Sequence, residues 1–278
     1  MARRQQTIFF DTSICIAVAR GHIHTGEWKA VWKFIERNFN YAISPMTLSE
    51  VLVGLGRGDE AHFEANRVAL RILCPPRKTE FLRMPLHFAL QTVLRDNRSV
   101  EGLEPKDFRL QSRVTLRASD KLALTTGGVL LPEVRTHSHG MNLDLVSGFM
   151  EAGRRDGVDG LTRLRGGQLQ RSEPAVWAQN LVARLGKTIT LEEGARLTVR
   201  LDAAYRYESA LMDLAEQGQY NFSKHGSDWI DAQQLFYLCD PAMYFLTRDG
   251  GPKRRTIGSP QRDRIIEYED LSKRATRA

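Results

Sequence analysis

The chain has 278 residues, 42% of them hydrophobic and 26% charged, with a formal net charge of +7 and a pI of about 9.5. That balance belongs to a globular protein with a real core and excludes a chain that cannot pack one. The positive charge fits a polyanionic partner as well as a merely solvated basic surface, and no apolar stretch is long enough to span a bilayer, so a membrane partner is not expected.

The opening MARRQQTIFFDTSICIAVAR has a basic head and an apolar run. Asp11 interrupts that run and no small-residue cleavage pattern follows, so the segment reads as structure and not as a signal peptide. TIFF (7–10) is a short β-favouring run that stops at Asp11, and SICIAVARG follows as a helix with Gly21 as its stop. EWKAVWKFIERN (27–38) sets Trp28, Val31, Trp32 and Ile35 at helical spacing. YAIS (41–44) reads as a second strand, punctuated by Pro45. TLSEVLVGLG (47–56) reads as a helix with Leu48, Val51, Leu52 and Leu55 on its apolar face and Glu50 on the other side.

Residues 59–221 carry helical patterns at 60–73, 80–95, 107–124, 142–155, 173–185 and 191–217. Turn clusters such as TTGG, THSHG and RGG interrupt them. The alternation of strand and helix then returns. Residues 228–239 read as a helix that Pro241 prevents from continuing, and AMYFLT (242–247) reads as a strand ending near Asp249. GGPKRR is a loop leading to a candidate edge strand at RTIG. Alternation at both ends predicts an α/β fold, a parallel sheet with helices on both faces. The expected division is a core in two halves, 1–58 and 222–278, split by a mainly helical insertion at 59–221.

Five carboxylates fall at the ends of these elements. Asp11 and Asp249 lie at or just past the carboxyl ends of strands, Glu50 on the helix after another strand, and Asp228 and Asp231 in the first turn of a helix. In a parallel sheet these positions share one edge, where open α/β sheets bind ligands. Asp231, Leu235 and Leu238 are spaced i, i+4, i+7, so the carboxyl points the way the core residues do. Converging carboxylates repel, and a hard divalent cation such as Mg²⁺ or Mn²⁺ relieves the repulsion. Such an ion activates water and stabilises charge on a phosphodiester. The competing readings are ordinary ones: Asp228 as a helix N-cap toward the rim with Asp231 at N3, Glu50 as a solvated residue, and Asp11 and Asp249 as turn formers. Asp228 reads first as the cap and second as a further metal ligand.

The same residues resemble the PIN-domain nuclease family. IFFDTSI is similar to that family's first strand with its metal-binding Asp, and ISPMTLSEVLVGL to its second block with a Glu after a Ser- and Thr-containing lead-in. DAQQLFYLCDPAMYFLTRD is similar to the third, a helix opening on Asp followed by a strand that leads to T-x-D. The matched blocks cover roughly residues 5–57 and 225–260. The resemblance implies a three-layer parallel-sheet core. It implies Asp11, Glu50, Asp231 and Asp249 as the catalytic, metal-binding set, with Ser13 and Thr247 as supporting polar residues. It also implies a Mg²⁺- or Mn²⁺-dependent nuclease that cleaves with a metal-activated water, with RNA expected ahead of DNA. A structure-specific DNase and an inactive PIN-like nucleic-acid-binding or assembly module are the alternatives. A protein inhibitor or a second copy of the chain are further partners to consider. Two departures stand out: the long separation of the second and third blocks, and a third-block helix that is not Ala-rich.

Arg109, Arg113, Arg117 and Lys121 recur at every fourth residue and would form one cationic ridge on a helix. It reads equally as a phosphate-binding flank and as a solvated one. His137, His139 and His225 read as loop residues, and Trp28, Trp32, Trp177 and Trp229 as core. TTGG lacks the Lys-Ser/Thr continuation of a P-loop. Cys15, Cys74 and Cys239 are far apart with no C-x-x-C, so neither a disulfide framework nor a zinc knuckle is expected, and a reducing, cytoplasmic setting is.

Overall fold

The computed structural model describes residues 6–55, 60–75, 80–95, 105–106, 109, 112, 174–183, 185–217, 219–220 and 228–277. Its described strands form one five-stranded sheet in the order β3-β2-β1-β4-β5. The strands are β1 (Thr7–Phe10), β2 (Asn40–Ile43), β3 (Glu80–Phe81), β4 (Met243–Thr247) and β5 (Ile265–Glu267). Every pairing is parallel, as the alternation of elements predicts.

The chain starts in the middle of the sheet and works outward in one direction. Helices α1 (Thr12–Ala19) and α2 (Thr25–Asn38) link β1 to β2. α3 (Pro45–Leu55) and α4 (Glu60–Leu73) link β2 to β3. The chain then crosses back to β4 on the other side of β1. That return carries α5 (Pro85–Ala89), α6 (Pro174–Ala183), α7 (Leu191–Arg200), α8 (Asp202–Glu216) and α9 (Asp228–Gln234), with a 3₁₀ turn at Leu235–Cys239. α10 (Gly251–Arg255) leads on to β5, and α11 (Tyr268–Arg277) follows it. The order reverses between β1 and β4, and that reversal makes a crevice outside the carboxyl ends of the two strands.

Period-two alternation sorts the strand residues between two cores. Ile8, Phe10, Ile43, Leu246 and Ile266 face a layer built from α1–α4 and α11. Phe9, Ala42, Met243, Phe245 and Ile265 face a layer built from α5–α8 and the Leu235–Cys239 turn. Each buried Ile, Leu, Phe or Met among them contributes about 1.5–3 kcal/mol. Trp28 and Trp32 pack edge-on against Phe10, and Trp177 against Phe236 and Tyr205, so these three are core residues as expected. α6 and α7 approach so closely that a Cβ on Gly194 would stand 2.6 Å from the Ala175 carbonyl oxygen.

Several sequence expectations need correcting. Residues 80–81, read as the start of a helix, form β3 on β2, so the sheet extends past residue 58. The helices at 174–216, which fall within the segment expected as an insertion, pack on the sheet and supply one of the two layers that cover it. A sheet-covering helix and a helix of a separate domain have the same apolar stripe, so periodicity cannot separate them. RTIG is not a strand, since Arg255 ends α10 and the edge strand comes ten residues further on at Ile265–Glu267. Cys15, Cys74 and Cys239 carry no disulfide. No helix among the described residues is long and apolar enough to cross a membrane.

Candidate active site

Asp11 directly follows β1 at the point where the sheet order reverses. Its backbone N–H still donates to the Leu246 carbonyl at 2.9 Å, so the β1–β4 ladder fixes its position. It occupies the N-cap of α1 in an extended conformation, yet its carboxylate makes no capping bond. The Ser13 hydroxyl donates to Asp11 Oδ2 instead, as does the Thr247 hydroxyl at 3.0 Å. Ser13 and Thr247 thus both contact the Asp11 carboxylate. Burial raises the Asp11 pKa, and these two hydroxyls offset part of that rise.

Glu50 reaches the same place from α3. It is half-buried and accepts a hydrogen bond from the Thr12 hydroxyl. Burial and then the negative charge of Asp11 push its pKa up to about 7, against the counter-effect of Thr12. Asp231 comes from the first turn of α9 and is 9% exposed. Its pKa is raised by burial first, then by the charges of Asp11, Glu50, Asp228 and Asp249. The other four carboxylates therefore lie within electrostatic reach of Asp231. Asp249 stands at the exposed end of the group. Its N–H donates to Thr247 Oγ1 at 2.9 Å, and its Oδ1 accepts from Gly251 N at 2.8 Å. It is thus a turn former as well as a member of the cluster.

Asp228 does not sit at the rim. It is 5% exposed and ion-paired to Arg255 at 3.1 Å. Arg255 also donates to the Tyr207 hydroxyl at 2.8 Å and stacks over that ring at 5.1 Å. The burial of Asp228 is explained by the chain's own cation, since a buried charge needs a partner.

The fully buried Thr47 ties the three converging elements together. Its hydroxyl donates to the Phe10 carbonyl at 2.6 Å and faces Gln234 Oε1 at 3.2 Å, joining α3, β1 and α9. Thr12, Thr47, Gln234, Tyr207 and Arg255 were not singled out by sequence reasoning. Hydroxyls and amides carry no periodic signature, and Arg255 lay in a basic run read as loop. Arg109 is exposed and lies 5.8 Å from the Phe81 ring centroid. Arg113, Arg117, Lys121, His137, His139 and His225 lie outside the described residues.

Among the described residues, no three His, Cys, Asp or Glu side chains stand in an arrangement that could hold a metal ion as they are placed. Asp11, Glu50 and Asp249 each accept a hydrogen bond from the chain in this arrangement. No protein-family model matches the chain, and no curated protein or solved structure is detectably similar to it.

Proposed function

We propose that the protein is a metal-dependent phosphodiesterase with a PIN-like core, acting on nucleic acid and on RNA ahead of DNA. The observation that carries this reading is the gathering of Asp11, Glu50, Asp231 and Asp249 at the carboxyl edge where the sheet order reverses. Three of them have raised pKa values in which burial is the first cause, and neighbouring carboxylates add to the rise at Glu50 and Asp231. Such a cluster is costly to ionise without a cation, and perturbed acids in a cleft mark functional sites.

The donor chemistry fits Mg²⁺ or Mn²⁺, because Asp11, Glu50, Asp231 and Asp249 all offer carboxylate oxygen. Asp11, Glu50, Asp231 and Asp249 are the residues that would hold one or two such ions, in place of the hydrogen-bond donors some of them now accept from. A bound ion supplies an activated water and neutralises charge developing on the phosphate. Ser13 and Thr247 hold the Asp11 carboxylate in one orientation, and Thr12 does so for Glu50. Thr47 keeps α3 and α9 in register with the end of β1.

The test is cleavage of 5′-labelled RNA and single-stranded DNA of one sequence, with Mg²⁺ or Mn²⁺ and with EDTA. Cleavage of RNA that requires the cation is expected. Binding without cleavage under every metal condition would instead favour an inactive PIN-like module. Faster cleavage of DNA would favour the DNase reading.

A further inference from the structure

The carboxylate cluster that would hold cations also repels a polyanionic substrate, so the site needs a cation of its own that the substrate can reach. Arg255 is that group. Its side chain is 21% exposed, and it sits beside the cluster, not across the surface from it. A Cβ built on Gly251 would stand 3.0 Å from Asp249 Oδ2 and 3.1 Å from Arg255 Nη1. The guanidinium and the Asp249 carboxylate therefore both lie close against residue 251, where even a Cβ would press on each of them.

Arg255 is also oriented. Nη2 pairs with Asp228 at 3.1 Å, Nη1 donates to the Tyr207 hydroxyl at 2.8 Å, and the Tyr207 ring lies under the guanidinium. These contacts engage two of the five N–H donors an arginine carries. Planar guanidinium groups with donors to spare bind phosphate oxygens in a fixed geometry. Tyr207 and Asp228 are themselves buried.

We propose that Arg255 anchors a backbone phosphate of the nucleic acid at the acidic cleft, with Asp228 and Tyr207 as its positioning residues. This rests on the nuclease reading and adds to it a residue outside the acidic set. It also assigns Asp228 to the arginine and not to the cation.

The test uses the full-length Asp11→Asn protein in Mg²⁺, so that binding is read without cleavage, and a 5′-fluorescein single-stranded RNA followed by anisotropy from 50 to 200 mM salt. Arg255→Gln in that background should weaken binding about tenfold and lower the log–log salt slope by about 0.7, the contribution of one phosphate on a single strand. Arg255→Lys keeps the charge and loses the fork, so it should keep the slope and lose a few-fold in affinity. An Arg255→Gln protein with the parental slope overturns the anchor, even if its Tm has fallen, because a purely structural ion pair moves stability alone. If Arg255→Gln does not fold, parental affinity in Arg255→Lys overturns it. RNA binding with an unchanged slope refutes only the anchor, whereas a parent that binds neither RNA nor DNA refutes the nuclease reading with it.

Discussion

Glu50 has a folded-state pKa of about 7 against an ordinary 4.5, so the folded protein holds a proton over a range in which the unfolded chain has released it. Stability therefore falls as pH rises through that window and levels off above it. Burial raises Asp11 and Asp231 in the same direction. In metal-free buffer, thermal melts of the wild type should lose Tm between about pH 4.5 and 7 relative to Glu50→Gln, which has no proton to lose. Wild-type and variant curves that run parallel across this window would contradict the burial argument. By the same reasoning Asp231→Asn should raise Tm at pH 8 in EDTA, since it removes a repelled charge. A buried charge stripped of its partner behaves in the opposite way. Arg255→Ala removes the cation paired with buried Asp228 and should cost about 3–5 kcal/mol by denaturant unfolding. At this scale Asp11 and Asp231 were legible, because a carboxylate that continues an apolar stripe or ends an apolar strand breaks a pattern. Thr47 and Gln234 were not, because their importance lies in a contact 187 residues apart along the chain.

The junction between α7 and α8 depends on one side chain from the loop before β5. Gln261 Oε1 accepts from Ala203 N at 2.7 Å and Nε2 donates to the Arg200 carbonyl at 3.0 Å. It satisfies a helix-end carbonyl and a helix-start N–H that have no partner within their own helices. Gln261→Ala should cost about 1–3 kcal/mol for each group left unsatisfied, a loss measurable by urea unfolding. A change within a few tenths of a kcal/mol would show that water reaches both groups. Arg264 makes a comparable tie, donating to the Leu238, Asp240 and Met243 carbonyls and clamping the turn before β4 against β5. Strand β1 and helix α4 matched their expected spans, since four β-favouring residues before an acid and fourteen residues at helical spacing are unambiguous. β3 and β5 did not, because strands of two and three residues contain no alternation to read and exist only through their neighbours.

For the molecule as a whole, the long return from β3 to β4 does two jobs. It covers the sheet face that carries Phe9 and Phe245, and it delivers Asp231 to the crevice between β1 and β4. Leu197 of α7 is fully buried in that shared core, so Leu197→Ala should cost about 2–5 kcal/mol. The loss should appear in a single unfolding transition, seen alike by far-UV circular dichroism and tryptophan fluorescence. Two separated transitions would mean that α6–α8 fold apart from the sheet. The parallel sheet was legible from alternation at the two ends of the chain, whereas the placement of 174–216 on the sheet was not, because an apolar stripe does not name its partner. The central claim, that this crevice is a metal-dependent nuclease centre, is tested most directly by single-turnover cleavage of one labelled RNA in Mn²⁺. Wild type, Asp11→Asn and Asp231→Asn should be compared, with circular dichroism on each. Both variants should keep the wild-type spectrum and lose activity by more than about a hundredfold, beyond what loss of a merely supporting residue causes. Cleavage at the wild-type rate by either folded variant would contradict it.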